Sequence, residues 1–515
     1  MSALLGWLLR AIFVALGVGA AIWLARWARE AGQRPGERWP VRIGLGMLLL
    51  AGAYAIGHAR LLVKRPELEA ARARWAFYGD PRLTEERRAE VRGWILDCSG
   101  DPSDALALYR ERDGSMVRAY PLEEGGANLI GGGEDAGERD FTVERLFADR
   151  LREPRSLAEL GEPHPAGKDL QLTLCLNATA RAWELLENTG HPGAVIVQDV
   201  NTGAVVAYAA TGGPQQAPVG IQEYSPPGSV WKLALSALWW EAGLPEMVLT
   251  CPSEIRLSER ALIENAGRFS LPPVTVPEGM LIPSCNTTAV EMALIMRERL
   301  GEEAFVEAFR RFGFVPYTDN APTGFQTDFW ATSSEEWAER MSPPPARIRI
   351  GPETNRAEWG QLAIGQGPLD VTPIHISRFM QAIGNDGVML KPTIEAEQAA
   401  EPAGGERIMS ETTAERLQAV MLEIVDRGTA RSVRPRVEDL AWDLGGKTGT
   451  AQVRGEPDNG WFAGLIFGAD GDPRYSVTVF LEGGGPGGRQ PASIAAELTR
   501  LLAARTESRA GESAE

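Results

Sequence analysis

The sequence predicts an α+β domain, an antiparallel sheet flanked by helices, preceded by a small mixed module and by apolar N-terminal segments. Three observations carry this reading. The stretch AVIVQDVNTGAVVAYAA (194–210) forms two apolar arms around Asn201-Thr202-Gly203, the pattern of a β-hairpin. Three further strand-like runs, KTGTAQV, WFAGLIFG and YSVTVFLEGG, follow Gly446 and are separated by the turns RGEPDNG and ADGDPR. Between these two β regions lies a long, mostly helical middle. An early hairpin and late strands can join in one antiparallel sheet, with a closing helix, Ser493 to Arg505, on one face and the helical middle on the other.

At 515 residues the chain has room for a membrane anchor and more than one folded unit. Leu4 to Leu24 is apolar apart from Arg10, and Ile43 to Val63 is apolar apart from His58 and Arg60. Each is long enough to span a bilayer, and residues 1–65 are therefore expected to form an anchor of two transmembrane helices, about 4–24 and 43–63. The first segment lacks the basic start and cleavage site of a removable signal peptide. The connection carries Arg26, Arg29, Arg34, Arg38 and Arg42 against Glu30 and Glu37, which favours a cytoplasmic loop with both ends of the hairpin outside.

Residues 66–167 read as a small interaction or pedestal module. RGWILDCSG (92–100) has the form of a short strand and turn, and LALYRERDGSMVRAYP (106–121) that of two strands around Asp113-Gly114. Gly125 to Gly137, rich in glycine and acids, reads as loop, Phe141 to Leu151 as helix, and Pro154 to Gly167 as linker. The main folded unit then spans 168–505, opening with a helix at Ala178 to Asn188, and residues 506–515, small and polar, are expected to form a frayed, flexible tail.

A formal net charge of −17 argues against a nucleic-acid surface, which needs a basic footprint. Cys98, Cys175, Cys251 and Cys285 show no CxxC spacing, and the four histidines are scattered, so neither a metal nor another cofactor is expected. An exported domain could pair two of the cysteines, but spacing does not say which; free, buried thiols are the expectation.

The chemistry concentrates in three motifs. Ser229 follows Pro226-Pro227-Gly228 and opens a helical run, with Lys232 one turn later, so an amine lies within reach of a hydroxyl that is a poor nucleophile until a base takes its proton. Alone, this SxxK spacing is weak evidence. Ser284-Cys285-Asn286 forms an SxN triplet before the helical pattern AVEMALIMRERLG, and Lys447-Thr448-Gly449-Thr450 begins a strand that reads as an edge. The chain has five lysines, and two of them fall in these motifs, in the order SxxK, SxN, KTG.

Those residues, with RGWILD (92–97), YPLEEGGANLIG (120–131), AIGQGPLDVTP (363–373), NDGVMLKP (385–392), RGTA (427–430) and WFAG (461–464) in the same order, resemble the class B penicillin-binding proteins of the short division or elongation type. The resemblance implies the penicillin-binding, β-lactamase-like transpeptidase fold. It departs at Cys98, where an arginine is common, at Cys175, where an aspartate is usual, and in its two apolar segments instead of one.

By this resemblance the chain is a membrane-anchored D,D-transpeptidase that cross-links peptidoglycan stem peptides ending in D-Ala-D-Ala on the external side of the cytoplasmic membrane, and is blocked by β-lactams. Ser229 would form the acyl-enzyme, with Lys232 as base and Ser284 as proton relay. Asn286 would hold the substrate amide, and Lys447, Thr448 and Thr450, with Gly449 between them, would bind the terminal carboxylate. The backbone N–H groups of Ser229 and Thr450 would receive the oxyanion. The stretch before the transpeptidase is too short for a glycosyltransferase, so a polytopic membrane glycan polymerase is the implied partner. A D,D-carboxypeptidase, a β-lactamase-like hydrolase or a non-catalytic β-lactam-binding sensor would carry the same trio. Trp239-Trp240 reads as core packing, and Gly365-Gln366-Gly367 as either a turn or a shaper of the cleft.

Overall fold

The computed structural model describes residue 26 and residues 92–112, 115–131, 141–153, 167–212, 218–314, 326–351, 353–453 and 455–512. Both apolar segments expected to span a membrane lie outside the described residues. Among the described residues no helix is long and apolar enough to cross one. One compact unit, Glu85–Leu157 with Pro165–Glu515, contains every described residue except Arg26.

The core of the unit is a five-stranded antiparallel sheet. Its strands are β1 (Gly193–Asp199), β2 (Val205–Ala210), β3 (Asp443–Ala451), β4 (Asn459–Phe467) and β5 (Pro473–Leu481), in the spatial order β3-β4-β5-β1-β2. Val197 pairs with Val477, Trp461 with Phe480 and Lys447 with Ala463, so the early hairpin is joined to the late strands through β5. Strands β1 and β4 are buried almost throughout because both faces of the sheet are covered, and this is why they read as continuous apolar runs. The helices α1 (Leu176–Glu187) and α6 (Gln490–Glu512) pack together against it. The helices α4 (Pro373–Gly384) and α5 (Glu411–Arg427) cover the other face, with α2 (Lys232–Glu241) against α5 and α3 (Asn286–Leu300) against α2.

Several boundaries differ from the sequence reading. The closing helix continues seven residues past Arg505 to Glu512, so most of the stretch expected as a frayed tail is helical. It has no proline to stop it, and Thr506 turns its hydroxyl back onto the carbonyl of Leu502 at 3.1 Å. The helical middle also contains two hairpins, Met247–Cys251 with Leu271–Val276 and Glu254–Arg256 with Leu262–Glu264. Pro272 and Pro273 disguise the first of these; they lack N–H groups and sit where its register shifts. The stretch Gly125 to Gly137, expected as loop, begins inside a helical turn, Glu124–Ala127.

Within this unit, residues 92–131 and 141–153 are joined by backbone pairing to the segment that leads into α1. Ile95–Leu96 pairs in parallel with Leu170–Gln171, and Leu108–Arg112 pairs with Ser115–Ala119 as expected. Glu144 is fully buried and is held by Arg92 at 2.8 Å and Arg118 at 2.6 Å. Asp97 accepts the Leu176 N–H at 3.2 Å, capping α1 from the module.

The expectation of free thiols is corrected. Cys98 is bonded to Cys175, and Cys251 to Cys285, leaving no free cysteine. The partners are 77 and 34 residues apart, distances at which no local spacing can reveal a pairing. The two positions at which the sequence departs from the arginine and aspartate of the resembled pattern are thus bonded to each other.

Candidate active site

Ser229 lies in a 3₁₀ turn, Gly228–Trp231, that runs directly into α2 at Lys232. A 3₁₀ turn stacks residues three apart one above the other, which places the Lys232 stem under Ser229. The turn is anchored from below by Trp231, whose ring packs 4.4 Å from Phe309 and 5.0 Å from Phe314. Ser229 is half-buried, and its hydroxyl has no hydrogen-bond partner among the described residues.

Three backbones meet at this turn. Gly228 has φ +54°, and a Cβ there would lie 2.5 Å from the Thr450 carbonyl oxygen. Gly365, φ +73°, accepts the Gly228 N–H at 2.9 Å, and a Cβ on it would lie 2.0 Å from the Gly228 carbonyl oxygen. A Cβ on Gly449 would lie 2.8 Å from the Pro227 carbonyl oxygen. The glycines let strand β3 and the Gly365-Gln366-Gly367 turn clamp the Ser229 turn directly, so this turn shapes the cleft. Gly365→Ala is expected to destabilise the protein by roughly 1–3 kcal/mol from backbone strain and contact, and to slow β-lactam acylation more than tenfold by shifting Ser229. Thermal melts and acylation kinetics on the variant check both.

Lys232 is fully buried. Its Nζ reaches the Asn286 Oδ1 at 2.7 Å, the Ser284 carbonyl at 2.8 Å and the Ser284 Oγ at 3.2 Å. Lys447, also fully buried, donates to the same Ser284 Oγ at 2.9 Å and to the Thr448 carbonyl at 3.0 Å. Burial, and then the neighbouring Lys447 cation, push the Lys232 amine well below its usual value; burial lowers Lys447 to about 7. A neutral Lys232 has two hydrogens for the two carbonyl oxygens and a lone pair that the Ser284 hydroxyl can fill. That hydroxyl then accepts from Lys447, giving a continuous proton path from one lysine to the other.

Ser284 adopts φ +60°, a left-handed conformation uncommon for serine. The SxN loop is held there by the Cys251–Cys285 bond and by Asn265, a buried residue twenty positions upstream of the triplet's Cys285. Asn265 Oδ1 accepts the N–H groups of Asn286 at 2.8 Å and Thr287 at 3.3 Å, the first turn of α3. Its amide donates to the carbonyls of Pro252 at 2.8 Å and Phe269 at 3.0 Å. Asn286 donates one N–H to the Glu264 carbonyl at 2.8 Å, which leaves its second N–H for a ligand.

The Thr448 hydroxyl lies 2.6 Å from that of Thr429, and Gly449 and Thr450 follow on the sheet edge. The structure therefore gathers Ser229, Lys232, Ser284, Asn286 and the Lys447–Thr450 segment into one cleft. Asn265 and Thr429 are the two residues here that sequence reasoning does not assign. A helix cap is sought next to its helix, and Asn265 reaches α3 from a different loop; Thr429 enters only as part of RGTA. Trp239 is fully buried, as core packing requires. Thr372-Pro373 is a helix start, with Pro373 the first residue of α4 and His375 completing the cap through Nδ1, 3.2 Å from the Thr372 N–H. Burial lowers His375 to about 3, so it is neutral there.

The family model described as the penicillin binding protein transpeptidase domain matches residues 193–500, more than half of the chain. No curated protein matches. Among solved structures, penicillin-binding protein A of Mycobacterium tuberculosis superposes with a TM-score of 0.62 at 22% identity, covering 80% of this chain and 99% of that one. That protein has also been solved as imipenem and penicillin G acyl-enzyme complexes. Penicillin binding protein 3 of the same organism gives 0.61 at 23% identity, over 81% of this chain and 96% of that one. For Pseudomonas aeruginosa PBP2 the values are 0.59 and 23%, over 80% and 96%.

Proposed function

The chain belongs to the penicillin-binding protein transpeptidase family, and from that premise we propose that Ser229 is the nucleophile of a D,D-transpeptidase cross-linking peptidoglycan stem peptides. The observation that carries this is the pair of buried lysines joined through one serine hydroxyl, 3.2 Å and 2.9 Å from their amines, beside a hydroxyl with no partner of its own among the described residues.

Ser229 Oγ attacks the penultimate D-Ala carbonyl, and its proton passes to the lone pair of Lys232 as the Ser284 hydroxyl turns toward the leaving amine. The oxyanion is received by the N–H groups of Ser229 and Thr450. The C–N bond breaks, the leaving D-Ala takes the Ser284 proton, and Lys232 restores it. Asn286 holds the stem-peptide amide, while Lys447, Thr448 and Thr450 hold the terminal carboxylate, Gly449 letting the strand approach Pro227. An acceptor amine then takes the acyl group from Ser229. Class A β-lactamase-like hydrolysis is disfavoured because, among the described residues, no carboxylate hydrogen-bonds Lys232, Ser284, Asn286 or Lys447. Activation of the water in that class needs an added glutamate.

A β-lactam presents a strained amide and a carboxylate in place of D-Ala-D-Ala, so it should acylate the same atom. Intact mass after penicillin treatment is expected to rise by one adduct that peptide mapping assigns to Ser229, with none in Ser229→Ala. An adduct on another residue of the folded protein would refute the assignment. Because the substrate lies outside the cytoplasmic membrane, the domain after about Pro66 is external, and two spanning segments put Met1 on the same side. Glycan polymerisation falls to a polytopic membrane partner.

A further inference from the structure

We infer that Gly487, in the loop from β5 to α6, is a positioning residue of the oxyanion pocket: it backs β3 from the face opposite the Ser229 turn and so fixes where the Thr450 N–H stands. This rests on the reading of Ser229 as nucleophile. Side chains alternate along a strand, so Lys447 and Gly449 look to one face of β3 and Thr448 to the other. The first face carries the Ser229 turn: Lys447 reaches Ser284 Oγ at 2.9 Å, and a Cβ on Gly449 would lie 3.0 Å from Val230 Cγ2.

The second face is met by the glycine-rich run GGGPGGR (483–489). A Cβ on Gly488 would stand 3.5 Å from Thr448 Cγ2 and 2.6 Å from the Thr429 carbonyl oxygen. Gly487 is buried, and a Cβ on it would lie 1.9 Å from the Trp461 carbonyl oxygen and 2.4 Å from that of Gly449. Gly449 and Trp461 are cross-strand partners, so Gly487 rests on the rung next to Thr450. Backbone contact this close is open only to glycine.

Three hydrogen bonds hold the run in place. The Gly485 N–H donates to the Asp458 carbonyl at 2.8 Å, Ser432 Oγ donates to the Gly488 carbonyl at 2.7 Å, and the Gly483 N–H donates to Asn459 Oδ1 at 2.9 Å. The Asn459 amide in turn donates to Ser225 Oγ at 3.1 Å, on the chain that enters the Ser229 turn. The two N–H groups that receive the oxyanion therefore share one frame, Thr450 through Gly487 and Ser229 through Asn459. Backing matters here because β3 is an edge strand, with β4 as its neighbour, and Gly449 has no side chain of its own to pack.

The test compares two ligands on the full-length protein in detergent. One is a fluorescent penicillin, for which the acylation rate at saturation and the half-saturating concentration are measured separately. The other is an alkylboronic acid without a carboxylate. With it the bond from Ser229 Oγ to boron forms, the Ser229 proton passes to Lys232, no group leaves, and the tetrahedral boronate places an oxygen in the oxyanion pocket. For Gly487→Ala the saturating acylation rate is expected to fall about 10–100-fold and the boronic acid dissociation constant to rise by a similar factor, with the half-saturating penicillin concentration changed less than about threefold. Ser432→Ala, which removes only the hydrogen bond to the Gly488 carbonyl, should move both quantities in the same direction by about three- to tenfold. Thermal melts report folding. Unchanged rate and boronate affinity in folded Gly487→Ala, or in Ser432→Ala where the glycine variant does not fold, would overturn the assignment, as would a change confined to the half-saturating concentration. Absence of acylation at Ser229 in the unmodified protein would instead overturn the catalytic reading on which it rests.

Discussion

Lys232→Arg is expected to slow β-lactam acylation by on the order of 10²–10⁴-fold, the contribution of a positioned general base. The reason lies in proton capacity. Lys232 is buried with its amine pushed well below the ordinary lysine value, first by burial and then by Lys447, so it can be neutral at working pH. A guanidinium at that position cannot be deprotonated and has no lone pair to offer Ser229. It is also larger than the ammonium it replaces, in a site where three acceptors lie within 3.2 Å of Nζ. Lys232→Met separates the two effects, since it removes the base without adding bulk. It leaves Asn286 Oδ1 without its lysine partner but is expected to lose acylation to a similar extent while remaining folded. Stopped-flow or gel-based acylation with a fluorescent penicillin checks this, and near-normal acylation by either variant would show that another group is the base.

The elements of the sheet were legible because each carries a local signature: apolar arms around Asn201-Thr202-Gly203 for the first hairpin, and turn residues between the last three strands. The lysines and serines of the cleft were legible for a different reason, since proton transfer restricts which residue types can stand there and each motif is short. What was not legible depends on contacts between distant segments. Asn265 holds the first turn of α3 from another loop, Cys251 holds Cys285 across a hairpin disguised by Pro272-Pro273, and Cys98 meets Cys175 only after the module docks on α1. The left-handed Ser284 is likewise a product of that surrounding support, because no property of serine favours φ +60°.

The pH dependence of the second-order acylation constant is expected to be bell-shaped, with an alkaline limb near pH 7 that Lys447→Arg removes. This constant reports the ionisation of the free protein. On the acid side, Lys232 takes up a proton and ceases to be a base, so the rate falls as pH drops below its lowered value. On the alkaline side, Lys447, brought to about 7 by burial, loses the charge that attracts the ligand carboxylate, and the rate falls as pH rises past that value. The limiting loss is about tenfold per pH unit, or roughly a hundredfold by pH 9. The two amines reach the same Ser284 hydroxyl, so the limbs describe the pair rather than either residue alone. Arginine keeps its charge throughout this range, still pairs with a carboxylate and still lowers Lys232 by its cation. Lys447→Arg should therefore acylate more slowly at pH 7 yet show a flat alkaline side. An alkaline limb that persists unchanged in the variant would assign it to a different group and remove Lys447 from carboxylate binding.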